Sequence, residues 1–223
     1  MTIRQGSSQS VEGHEGPRSS RRAVFASCLV HTVFLLSGIS ALLYQITWQR
    51  SLMLIYGSNI ESVAMVVSAF LVGLGLGNLA GGVISRWNRF SPVLLFAFAE
   101  LVVGIYGIIS LQLFSWVGRY TLTAGMLQTG VFVFILVFVP TVLMGATLPL
   151  LTAHRVGQTG HVGRSVSWLY FVNTLGAAGG AFLAAFALLG TFGLSGTVKA
   201  AAALNLISAA LVLLLWRKSR VAS

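Results

Sequence analysis

The chain has 223 residues, of which 56% are hydrophobic and only 8% charged. A soluble domain carries about 25% charged residues, so this composition excludes an ordinary soluble fold and indicates an all-α, polytopic membrane protein. The net charge of +10 is no nucleic-acid signal, because the bases sit at the ends of apolar runs rather than on one folded face.

Residues 1–22 are rich in Ser, Gly and Arg and nearly devoid of apolar side chains. Such a segment cannot bury enough surface to fold alone, and is expected to be a disordered cytoplasmic tail. The folded domain is expected over 23–217, with a short cytoplasmic C-tail at 218–223. A helix needs roughly 20 apolar residues to cross the hydrocarbon core. Six stretches qualify: about 24–47, 62–84, 92–115, 129–152, 166–189 and 196–216. Trp48, Trp87, Trp116, Trp168 and Trp216 fall at their ends, where amphipathic rings settle at headgroup level. The piece between the first two runs, 49–61, reads as a short re-entrant or interfacial segment.

Arg4, Arg18, Arg21, Arg22, Arg86, Arg89, Arg155, Arg164, Arg217, Lys218 and Arg220 flank one side of these runs. Only Arg50, Arg119 and Lys199 flank the other. The positive-inside rule puts both termini in the cytoplasm.

The first run contains Cys28, the chain's one cysteine. It allows neither an intrachain disulfide nor a Cys-based metal cluster. In the second run Gly73, Gly77 and Gly81 recur every four residues on one helix face. Lipid gives helices no hydrophobic reason to associate, so close backbone approach through small residues takes that part. The fifth run repeats the device with Gly176 and Gly180. These glycines serve either tight packing or the sliding of helices during transport. Gly75-Leu-Gly77-Asn-Leu-Ala80 matches a dinucleotide fingerprint by letters, but lies mid-helix in an apolar run instead of between strand and helix. The fourth run holds Pro140 and Pro149. Each removes a backbone donor and predicts a kink, either static or a gating hinge.

Glu100, in the third run, is the only acid inside any of the long apolar runs, and the chain has no Asp. A carboxylate in lipid is costly, so it faces a bundle interior or a wet cavity and has a partner. His31 is a candidate for that partner. Counted from the nearest basic flank, His31, Asn78, Glu100, Thr147 and Asn173 lie eight to eleven residues into five spans. That is ~12–16 Å deep on a helix, with Asn205 deeper at ~18 Å. This polar layer is either interhelical glue, at about 0.6 kcal/mol per group, or the lining of a pocket in which Glu100 binds a cation or a proton. No HExxH, no Ser/His/Asp set and too few acids for a metal cage are present, so no catalytic residue, metal or cofactor is expected. His154 and His161 are expected in a solvated loop.

Some longer strings are more specific. They are Ser37-Gly38 through Tyr44-Gln45, Trp48-Gln-Arg50, Leu74-Gly-Leu-Gly77, Pro140-Thr-Val-Leu-Met-Gly-Ala-Thr-Leu-Pro149-Leu-Leu, Leu169-Tyr-Phe-Val-Asn173-Thr-Leu-Gly176-Ala, Gly193-Leu-Ser-Gly196-Thr and Ala203-Leu-Asn205. Together they resemble the membrane domain at the N-terminus of bacterial spermidine synthase-like proteins, the major facilitator/spermidine synthase fusions. The resemblance covers about residues 35–215. It implies six transmembrane helices similar to half of a major facilitator fold, in a bacterial inner membrane. The soluble aminopropyltransferase domain common in that family has no counterpart before Ser223, so the chain is expected not to be an enzyme. Gly82-Val-Ile-Ser85-Arg86-Trp-Asn-Arg89 resembles a degenerate major facilitator signature, with Ser85 where an Asp is usual.

These readings leave three expectations. The first is a non-enzymatic membrane anchor or subunit that packs on a partner, with the lipid bilayer and a second copy or another membrane protein as partners and no nucleic acid. The second is a half-size transporter that moves a small cation or polyamine as a dimer. The third is the membrane part of a system whose aminopropyltransferase acts in trans.

Overall fold

The computed structural model describes residues 17–57, 60–87, 89–121 and 123–221. Every regular element among them is helical. The helices are α1 (Pro17–Tyr56), α2 (Ile60–Ile84), α3 (Pro92–Tyr120), α4 (Met126–Thr159), α5 (Val162–Leu183) and α6 (Leu189–Val221), with a π-helical turn at Ala184–Leu188 joining the last two. The tail expected over 1–22 lies outside the described residues as far as 16, and 17–22 belong to α1. At the other end α6 runs to Val221, and 222–223 lie outside the described residues.

Two expectations about the spans need correction. First, 49–56 is no re-entrant segment, because α1 continues unbroken to Tyr56. Second, the described residues form five helical stretches long and apolar enough to cross a membrane, not six. The fifth and sixth runs fall in one stretch, Val162–Leu214, of 53 residues. No loop divides it. The π turn keeps the backbone helical, and only Gly193 leaves helical geometry, at φ 64° and ψ −168°. A positive φ of this kind costs glycine nothing and other residues a steric clash. The stretch nevertheless doubles back. Asn173 donates from Nδ2 to the Phe34 carbonyl (3.1 Å), and Ser208 donates to the neighbouring Val33 carbonyl (3.4 Å).

The central pair, α1 and α4, carries the other helices. α2 packs mainly on α4, and α5 mainly on α1, while α3 and α6 pack on each other and on the central pair. α2 and α5 touch neither α3 nor α6. The glycines explain the two main pairings. A Cβ on Gly77 would collide with the Val142 carbonyl oxygen, and one on Gly145 with that of Leu74; one on Gly81 would come within 2.7 Å of Ala146 O. α1 and α5 use the same interlock. A Cβ on Gly176 would meet Leu35 O, one on Gly38 would meet Asn173 O, and one on Gly180 would meet Ile39 O. Leu35, Gly38 and Ile39 thus stand to α5 as Val142, Gly145 and Ala146 stand to α2. Exchanging α1 with α4 and α2 with α5 maps one set of contacts onto the other. Because each half has three helices joined by short turns, the second half runs in the opposite sense, which makes this an inverted repeat.

α4 passes through both prolines as one helix of 34 residues. Pro140 has no N–H for the carbonyl of Leu136, one turn back. That carbonyl accepts instead from the Tyr106 hydroxyl of α3 at 2.6 Å, so the missing helical bond becomes a tie between α3 and α4. Trp48, expected at a membrane boundary, is fully buried: it stacks on Tyr44 (centroids 4.7 Å apart) and donates from Nε1 to Ser110 Oγ at 2.9 Å. The longer α1 carries this position away from its end. Trp87, Trp116 and Trp168 are half or more exposed.

The interlock yields a direct contrast. Gly77→Val and Gly176→Val each force a side chain into backbone, and are expected to cost about 1–3 kcal/mol. Gly75→Val, two residues from Gly77 with nothing within 4 Å of its Cβ position, is expected to leave the melting temperature of the single chain in detergent unchanged.

Candidate functional site at Glu100

Glu100 lies on the buried face of α3, 1% exposed. Ser37 of α1 donates its hydroxyl to Glu100 Oε1 at 2.6 Å, a short bond of the charge-assisted kind. The same parallel register carries α1 and α3 on to Gly107, where a Cβ would strike the Tyr44 hydroxyl, and to the Trp48–Ser110 bond. One turn beyond Glu100, a Cβ on Gly104 would lie 3.1 Å from Leu206, the neighbour of Asn205 on α6. Ser208, a turn past Asn205, holds α6 against Val33, a turn before Ser37. Glu100, Ser37 and Asn205 therefore share one level of the α1–α3–α6 interface.

Three buried oxygens in this region make no hydrogen bond: Glu100 Oε2, Asn205 Oδ1 and Tyr44 OH. Their residues are each 2% exposed or less. Buried polar groups are normally paired, and an orphaned one costs about 1–3 kcal/mol, more if charged. Glu100 Oε2 and Asn205 Oδ1 belong to this level, whereas the Tyr44 hydroxyl packs against Gly107, two turns further along α3. A single carboxylate balances one positive charge, so it suits a proton or a monovalent ion better than a divalent one. Among the described residues no group of three or more His, Cys, Asp or Glu could hold a metal.

The expected five-residue layer does not converge on one site. His31, half-buried on α1, pairs its Nδ1 with the Ser27 carbonyl of its own helix at 2.7 Å, and Ser37 is the observed partner of Glu100. Equal depth placed His31 correctly on α1 but could not give its direction around the helix. Asn78 is exposed on α2 and donates to Leu74 O of its own helix (2.9 Å). Thr147 is buried, but its hydroxyl bonds back to Met144 O at 2.7 Å. Asn173 alone of the remaining four bridges two helices, from α5 to α1. Ser37 and Tyr44 stand outside the layer that depth along the helices predicts. The only sequence signal for them was their spacing of seven on α1, two helical turns that put both on the face Glu100 meets. His154, expected in a loop, is on α4, and His161 forms the cap of α5.

Removing the donor and neutralising the acceptor should differ. Ser37→Ala leaves both carboxylate oxygens without a partner and is expected to destabilise by about 1–3 kcal/mol. Glu100→Gln keeps the shape and an acceptor for Ser37, and should cost less. Chemical denaturation in micelles measures both; an equal or inverted order would mean that the carboxylate is not the strained member of the pair.

No family model, no curated protein and no solved structure matches this chain.

Proposed function

We propose that this chain is a non-enzymatic membrane protein of six crossings that works by packing the outer faces of α2 and α5 on another membrane protein or on a second copy of itself. Length supports counting Val162–Leu214 as two crossings. Its 53 residues would extend ~80 Å as one straight helix, against a core of about 30 Å, and Gly193 sits where the stretch turns back. Six crossings put both termini on one side. The distribution of Arg and Lys favours the cytoplasmic face, and the resemblance favours a bacterial inner membrane.

Asn78 is the observation that carries the reading. It is exposed on α2, flanked on the helix surface by Gly75 and Gly82, whose Cβ positions meet nothing within 4 Å. Its amide donates only to its own helix. α5 has the corresponding bare positions, with Thr174, Ala178 and Gly179 exposed opposite the packed Gly176 and Gly180. Lipid gains nothing from a bare backbone and an amide, whereas a second helix can pack closely on the one and hydrogen-bond the other.

In native membranes, Gly75→Cys and Gly179→Cys, each in a Cys28→Ser background, should form oxidative or short-linker adducts with a partner. Ile109→Cys, on the exposed face of α3, should form none. Adducts from Ile109→Cys alone, or from none of the three, would sink the packing reading.

A second reading draws on the unpaired oxygens of Glu100 and Asn205: transport of a small cation, conceivably a polyamine. Six helices make a poor alternating-access device alone, so the same α2/α5 faces would then join two halves. Uptake into proteoliposomes should fall to background in Glu100→Gln; uptake that is unchanged in that variant removes this reading.

A further inference from the structure

At the end of the bundle where α4 hands over to α5, a cleft of about 690 Å³ opens between α1, α4 and α5. Arg155 enters it from α4, Arg164 from the first turn of α5, and His161 from the two-residue link between them. Among the described residues no carboxylate lines it. Glu100, the one acid whose side chain is described, is held by Ser37 in the core. Neither arginine therefore has a counter-ion among the described residues.

The turn beside these charges is braced locally. The Thr159 hydroxyl donates to the Arg155 carbonyl at 3.0 Å and accepts from the Ser165 hydroxyl at 3.2 Å. The N-cap residue of α5, His161, makes no side-chain cap bond, which leaves the positive end of that helix dipole without a side-chain cap. Two guanidinium groups lining one cleft at the N-terminal end of a helix match the charge of a phosphate.

The cleft is not polar throughout. Trp168, 53% exposed, and Val172 line it on the α5 side, and from there the outer face of α5 continues as exposed Phe171 and Leu175. A free phosphate would use only the mouth. An amphiphile would use the mouth and the apolar wall together. Basic pockets between transmembrane helices bind acidic lipid head groups in this way. We propose that the cleft binds an anionic phospholipid, with Arg155 and Arg164 on its phosphate and an acyl chain along Trp168 and Val172.

Native mass spectrometry of the full chain in mild detergent tests this, with phosphatidylglycerol and phosphatidylcholine as probes. Wild type should retain phosphatidylglycerol in preference to phosphatidylcholine. Arg155→Gln combined with Arg164→Gln should weaken phosphatidylglycerol about 30-fold, as expected for two lost cation contacts. Arg164→Gln alone, which changes an exposed side chain, should weaken it about fivefold, so the test survives if the double variant fails to fold. Arg217→Gln removes the same charge from the same end of the bundle and should change nothing. Equal retention of the two lipids, or variants that bind as wild type does, would overturn the proposal. Displacement of phosphatidylglycerol by millimolar inorganic phosphate would make the ligand a soluble phosphate and overturn the lipid assignment.

Discussion

Backbone against backbone is the contact on which this bundle depends. Between helices in lipid there is no hydrophobic drive, so stability comes from dispersion at close range and from interhelical hydrogen bonds. Gly77 and Gly145 bring α2 and α4 close enough for carbonyl oxygens to lie where a side chain would otherwise stand, and Gly176 and Gly38 do the same for α5 and α1. Because the two interlocks share one pattern, a single packing solution appears twice, in opposite senses. The central pair α1 and α4 is thereby committed on one side, and its remaining surface is left to receive α3 and α6.

That remaining surface is where the polar groups gather. Ser37, Ser40 and Tyr44 of α1, Glu100 and Ser110 of α3, and Asn205 and Ser208 of α6 are all buried there. Several are paired across helices, as in Ser37–Glu100, Trp48–Ser110 and Ser208–Val33. In a low dielectric such bonds hold the register of neighbouring helices, and the oxygens left without a bond are correspondingly expensive. In this interface Ser37, Glu100, Ser110 and Ser208 tie helices together, while Glu100 keeps one oxygen uncommitted.

The two polar regions have opposite character. The core around Glu100 is oxygen-rich and carries one acid, whereas the cleft at the α4–α5 turn is basic and, among the described residues, carries none. Arg155 and Arg164 are conspicuous in sequence only as topogenic charges. Their convergence follows from the two-residue link at 160–161, with Gly160 at φ 69° ending α4 in the left-handed conformation. A turn that tight brings the last turn of one helix beside the first turn of the next.

Much of the architecture is legible in the chain itself, because lipid imposes simple demands on it. Length and hydropathy mark the apolar runs, a period of four marks the packed face of α2, and a lone acid in an apolar run marks a polar interior. Other features depend on how far each helix extends and which way each face turns, and these are settled by neighbours. Trp48 is buried because α1 continues past it. The last two runs merge into one stretch because a single glycine, with no polar loop, is enough to reverse the chain. Glu100 meets Ser37 rather than His31 because depth along a helix is readable from spacing, while rotation about its axis is set by the carbonyl-on-glycine contacts that only the assembled bundle contains.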